Sequence, residues 1–146
     1  MAQLGRNKLV SPVVVAWASA QALKVLVGAI EEKRFNFGWF LKSGGMPSSH
    51  TAFTMSLATA MGLNYGFDSG LFAMALGFAV ITMFDAQGVR RHSGEQAETL
   101  NKILEDIYSH RGLQEERLKE LVGHTPLEVF AGGALGIAAA LLFYKG

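Results

Sequence analysis

Apolar residues gather in four stretches, Leu9 to Ile30, Thr51 to Leu63, Leu71 to Phe84 and Leu127 to Tyr144. A helix that crosses a bilayer needs roughly 20 mainly apolar residues. The first and last stretches reach that length. The second and third are shorter, and the turn-forming run "NYGFDSG" between them predicts a helical hairpin. The expected fold is all-α: an integral membrane helical bundle of about four spans, with the chain from 1 to 146 forming one membrane-embedded domain.

A polar insertion, residues 86–124, separates the third stretch from the fourth. Within it Leu100, Ile103, Leu104 and Ile107 recur at helical spacing, and Leu118, Leu121 and Val122 continue the stripe after Gly112. This pattern predicts a helical hairpin or an interfacial helix lying against the bundle. Its charged residues, among them Glu95, Glu98, Lys102, Glu105 and Glu116, read as a solvated face.

Composition agrees with a membrane setting. Half of the residues are hydrophobic and 17% are charged, against roughly a quarter charged in soluble domains. Mean hydropathy is +0.25. With 13 basic and 12 acidic residues the net charge is +1, so no overall field draws the chain to nucleic acid. The absence of cysteine excludes disulfides, a thiol nucleophile and thiolate-bound metal. No cofactor is expected. His92, Glu95 and Glu98 share one helical face, but no second histidine–carboxylate motif accompanies them, so no metal site is expected either.

The first stretch begins like a secretory signal, with Arg6 and Lys8 before "LVSPVVVAWASA". Its apolar pattern resumes at once through "LKVLVGAI", which makes a span of full length, and the segment is expected to be retained. Lys24 then lies inside the span, as a snorkelling lysine or as a cation aimed at a site. In the last stretch Gly132 and Gly136 suit close helix packing in lipid.

If four helices alternate across the bilayer, the loops 31–49 and 85–125 emerge on one side. His50 at the start of the second helix, Arg90 and Arg91 after the third, and His124 at the start of the fourth then converge. Helix N-termini present N–H groups and the positive end of the dipole, so this pattern predicts an anion site, with phosphate as the natural ligand. The loop side carries Lys33, Arg34, Lys42, Arg90, Arg91, Lys102, Arg111, Arg117 and Lys119, against Arg6, Lys8 and Lys145 opposite. The positive-inside rule puts that side in the cytoplasm, unless some of these cations serve the phosphate instead. Simpler roles compete for the same residues. Thr125, Pro126 and Glu128 make a helix start with a capping box, and Ser48 or Ser49 is a ready N-cap.

Three blocks carry a resemblance. "PSSH" at Pro47 to His50 resembles the Pro-Ser-Gly-His block of the type 2 phosphatidic acid phosphatases, which share a site with vanadium haloperoxidases. "GGMPSSHTA", "DAQGVRRHSGEQA" and "GHTPLEV" together resemble a small divergent branch of that superfamily, and span Gly44 to Gly136 with the glycine-rich helix that follows. The resemblance implies that His124 is the nucleophile and forms a phosphohistidine. Glu128 stands where an aspartate usually orients that histidine, and His50 matches the acid that protonates the leaving alkoxide. Ser48 matches a phosphate-binding serine, and Ser49 occupies the usual glycine position.

The chain departs from the superfamily in its cations. At the spacing of the first block, Lys-x6-Arg-Pro, Lys33 is followed by Phe40 in place of arginine, and no Arg-Pro occurs. Leu118 sits where an arginine should precede the last histidine. Lys24, Lys42, Arg90 and Arg91 are the candidates to replace the missing phosphate clamps. The expected function is metal-independent hydrolysis of a phosphomonoester, a phosphorylated lipid or a small molecule, at the membrane surface. The alternative is a non-catalytic membrane protein that binds anionic lipid head groups or serves as an assembly partner. Assembly into a homo-oligomer stays open.

Overall fold

Three helix starts carry the side-chain caps their sequences spell out. Ser48 Oγ accepts from the Thr51 N–H at 3.4 Å, Ser69 Oγ accepts from the Phe72 N–H at 3.2 Å, and Thr125 with Glu128 closes a capping box ahead of Pro126. The computed structural model describes residues 7–33, 45–109 and 123–145; within its helices the side chains of residues 31, 89–92 and 106–109 fall outside that description. The helices are α1 (Val10–Glu32), α2 (Ser49–Tyr65), α3 (Gly70–Gln87), α4 (Val89–Ser109) and α5 (Pro126–Phe143). No strand occurs among the described residues.

The hairpin between α2 and α3 forms where the turn residues predict it. Gly66 closes α2 at φ +92°, in a region that favours glycine, and its N–H donates to the Gly62 carbonyl at 2.9 Å. The Ser69 hydroxyl donates back to the Gly66 carbonyl at 2.7 Å before capping α3.

α2 is the centre of the bundle, packed on α5, α3 and α1. Its contacts are made by small residues. Ala16 and Ala20 of α1 meet Ala52 of α2 and Ala139 of α5, and Ala58 of α2 meets Ala75 and Ala79 of α3. The large apolar side chains point the other way: Met74, Phe78, Ile81 and Phe84 on α3, and Phe130, Leu141 and Leu142 on α5, are each more than half exposed. Such an inverted distribution would leave a continuous apolar surface in water. It suits lipid, where the outward side chains meet acyl chains and small residues let backbones approach.

Residues 10–30 of α1, together with α3 and α5, are long and apolar enough to span a membrane. The 17-residue α2 carries Thr51, Thr54, Ser56 and Thr59, all buried. Thr54 and Thr59 donate to carbonyls one turn back, at 3.0 and 2.8 Å, so these hydroxyls are satisfied within the helix and shielded by its neighbours. The protein is thus an integral, multi-pass membrane protein built as an all-helical bundle, with the first stretch packed into it. α4 continues from α3 across Gly88 and touches only α3 among the described residues. It accounts for the first half of the polar insertion; residues 110–122 lie outside the described residues.

Candidate active site

The site begins at the α5 cap. Thr125 Oγ1 accepts from the Glu128 N–H at 3.4 Å, and Glu128 Oε2 accepts from the Thr125 N–H at 3.0 Å. His124 stands immediately before this cap, and its Nδ1 lies 3.0 Å from the same Glu128 Oε2. An ionised carboxylate only accepts, so Nδ1 carries the proton and the lone pair of the neutral ring sits on Nε2. The His124 backbone N–H donates to the Ala86 carbonyl near the end of α3 at 3.0 Å. The His124 side chain is almost wholly buried, at 1% exposure.

The start of α2 is docked onto the same turn of α5. The Ser48 N–H donates to the Glu128 carbonyl at 2.9 Å. A Cβ at Gly132 would collide with the Ser48 carbonyl oxygen, and one at Gly136 with that of Ala52, so the two backbones meet only because these positions are glycine. His50, in the first turn of α2, is thereby carried to His124. The ring centroids are 6.2 Å apart with planes at 65°, an edge-on approach. Ser48 is fully buried, and its Oγ accepts from both the Thr51 N–H and, at 3.1 Å, the Thr51 hydroxyl. Ser49 is buried beside it.

Lys24 joins the group from α1. At 6% exposure it does not snorkel to the surface, although a lysine held within a span disfavours insertion by about 2.5–3.5 kcal/mol. Its methylenes run along Gly45, where a Cβ would stand 3.5 Å from Cγ. α1 extends eight residues beyond Lys24, to Glu32, so the ammonium-bearing residue lies about 12 Å below that end of the helix.

His50, His124, Glu128, Ser48, Ser49 and Lys24 therefore meet at one end of the bundle. Arg90 and Arg91 lie in the first turn of α4, close in sequence to Ala86, but their side chains are outside the described residues, as is the whole of Lys42. Two neighbours of Lys24 escaped the sequence reading. Gln21 is buried one turn before Lys24; two polar residues three apart in an otherwise apolar span already mark one helical face. Gly45, at φ +85°, was legible only as part of a glycine pair. Chemically the arrangement offers an oriented neutral imidazole, a second imidazole beside it, a buried cation and the N-terminus of α2.

Residues 5–139 match the model of a family described as the divergent PAP2 family. A Bacillus subtilis (strain 168) relative, described as the uncharacterized membrane protein YuiD, is 43% identical over 134 residues, which cover 84% of this chain and 85% of the relative. No solved structure matches the chain. The match over nearly the whole length and the relative that shares it place the chain plainly: it belongs to the divergent PAP2 family.

Proposed function

We propose that this protein is a metal-independent phosphomonoesterase that works at the membrane surface through a phosphohistidine. The observation that carries the reading is the pair of histidines with ring centroids 6.2 Å apart, one of them held through Nδ1 by Glu128. His124 Nε2 attacks phosphorus as the ester P–O bond breaks. Protonated His50 gives its proton to the departing alkoxide. Water then attacks the phosphohistidine, His50 takes a proton from it, and inorganic phosphate leaves with His124 restored. Glu128 stabilises the charge that appears on the ring during attack. Positioning and fixed positive charge supply the rest, as in other phosphoryl transfers.

Met46, Phe53 and Leu127 are exposed apolar residues close in sequence to the two histidines. They give the surroundings of the site an apolar character and favour phosphorylated lipids over small phosphomonoesters. The test is phosphate release by purified protein from a panel of lipid and soluble phosphates with chelator present, together with orthovanadate binding. Metal-independent release, lost in His124→Ala, is the expected result. Vanadate binding without turnover of any substrate would return the protein to a non-catalytic binder of anionic head groups. Neither binding nor turnover would remove phosphate chemistry from the site.

A further inference from the structure

We infer that Gly88 and Gly123 are positioning residues for the nucleophile: from opposite sides they make the main-chain hydrogen bond that holds His124 against the end of α3. The inference rests on the reading of His124 as the group that attacks phosphorus.

The Glu128 carboxylate fixes the ring of His124 only relative to the start of α5. What fixes that start against the rest of the site is main chain. The Ser48 N–H donates to the Glu128 carbonyl at 2.9 Å and ties in α2. The His124 N–H donates to the Ala86 carbonyl at 3.0 Å and ties in α3, a helix that otherwise packs mainly on α2. Ala86 and His124 are 2% and 3% exposed. Water therefore does not compete for this bond, and breaking it would leave a buried polar group unmet.

Each end of the bond depends on a glycine. Ala86 lies one residue before the end of α3. In an unbroken helix its carbonyl would accept from the N–H four residues on, that of Arg90. The chain breaks instead at Gly88, the single residue between α3 and α4, so the last carbonyls of α3 are met from outside the helix. Gly88 folds back, its N–H donating to the Phe84 carbonyl at 2.7 Å, and a Cβ there would press on that oxygen at 3.1 Å. On the other side Gly123 takes φ +130°, in the region that favours glycine. The His124 N–H belongs to the peptide plane that follows Gly123, so this turn aims the donor at Ala86.

Alanine at either position works against the bond. At Gly88 its helix propensity favours carrying α3 on into α4, which turns the Ala86 carbonyl towards Arg90. At Gly123 a side chain disfavours the conformation that aims the donor. In both cases the imidazole keeps Glu128, but Nε2 shifts relative to His50 and the phosphate. A misplacement of about 1 Å at a reacting atom costs on the order of a hundredfold in rate. Phosphate binding draws on several groups and changes less, so the loss falls on kcat.

The rival role is that both glycines only end helices, which would move the melting temperature and leave turnover per folded molecule unchanged. The experiment measures kcat and KM on p-nitrophenyl phosphate, thermal unfolding in detergent, and hydrogen exchange at the four histidine amides after 15N-histidine labelling. It compares wild type, Gly88→Ala, Gly123→Ala and the double variant. Gly77→Ala is the control, because a Cβ there, also on α3, meets nothing within 4 Å. The inference predicts kcat at least tenfold lower in each single variant with KM within about threefold, and faster exchange of the His124 amide in Gly88→Ala although the substitution lies on another element. The double variant should lose no more than the worse single one, because both act through one bond. If Gly123→Ala does not fold, Gly88→Ala carries the test, since φ −91° is open to alanine. Turnover within twofold of wild type in the folded single variants, losses that multiply in the double variant, or a wild-type His124 amide that exchanges as fast as one in an unstructured peptide overturns the inference. An active wild type with unaffected variants leaves the phosphatase reading standing. A wild type without turnover removes that reading and this one together.

Discussion

His124 Nδ1 and the Thr125 backbone N–H converge on one oxygen, Glu128 Oε2, each at 3.0 Å. The helix cap and the orientation of the histidine are one device. A side chain that could be explained as a capping-box partner therefore serves both purposes, and the cap fixes the ring because the carboxylate cannot move without releasing the first turn of α5.

Glu128→Gln separates the two effects. Glutamine still accepts the Thr125 N–H, so the melting temperature should stay close to wild type. The charge that supports a developing imidazolium is gone, and turnover should fall by about two orders of magnitude or more. Glu128→Ala should lose turnover and also about 1 kcal/mol of stability. Full activity in the glutamine variant would take Glu128 out of the mechanism.

His50 and His124 should respond differently to the leaving group. An alkoxide departs only with a proton, whereas an activated phenolate departs without one. His50→Ala should lose about a hundredfold or more on an alkyl phosphate and much less on p-nitrophenyl phosphate, while His124→Ala loses both. Equal losses on the two substrates in His50→Ala would deny it the acid role.

The neighbouring glycines of α5 offer a packing contrast. Gly132→Ala sets a methyl against the Ser48 carbonyl and should destabilise by about 1–3 kcal/mol, as overpacking does, while displacing the start of α2 and weakening vanadate binding. At Gly133 the added methyl meets Thr51 Cγ2 at 3.6 Å and Met55 Cγ at 3.7 Å, an ordinary contact. Gly133→Ala should be neutral or stabilising by up to about 1 kcal/mol through helix propensity. Thermal unfolding of both in one detergent measures the difference; equal melting temperatures would contradict the close approach of α2 and α5.

Arg90 and Arg91 begin α4 just past the segment whose Ala86 carbonyl holds His124. If they add to the phosphate clamp, alanine at either should weaken vanadate binding by about tenfold, near 1.4 kcal/mol, and lysine should rescue it only in part. Unchanged affinity in both alanine variants makes them topological anchors of the membrane edge.

The sequence by itself determined the local elements. Apolar length set α1 and α5, "NYGFDSG" set the hairpin, and Thr125, Pro126 and Glu128 set the start of α5, because spans, turns and caps depend on residues within a turn or two of one another. It also named both histidines, through motif blocks at helix starts. What it left open was decided by contacts between helices distant in the chain. Glu128 reads in the sequence as either a cap or a partner of His124, and the structure puts both contacts on one oxygen. Lys24 reads in the sequence as either a snorkelling lysine or a cation aimed at a site, and packing against Gly45 removes the snorkelling. The central place of α2 was hidden because its hydroxyls make it the least apolar of the four stretches, and only enclosure by α1, α3 and α5 makes that composition tolerable in a membrane. The approach of His50 to His124 depends on Gly132 and Gly136 allowing two backbones to touch, a fit in three dimensions that no spacing along one chain encodes.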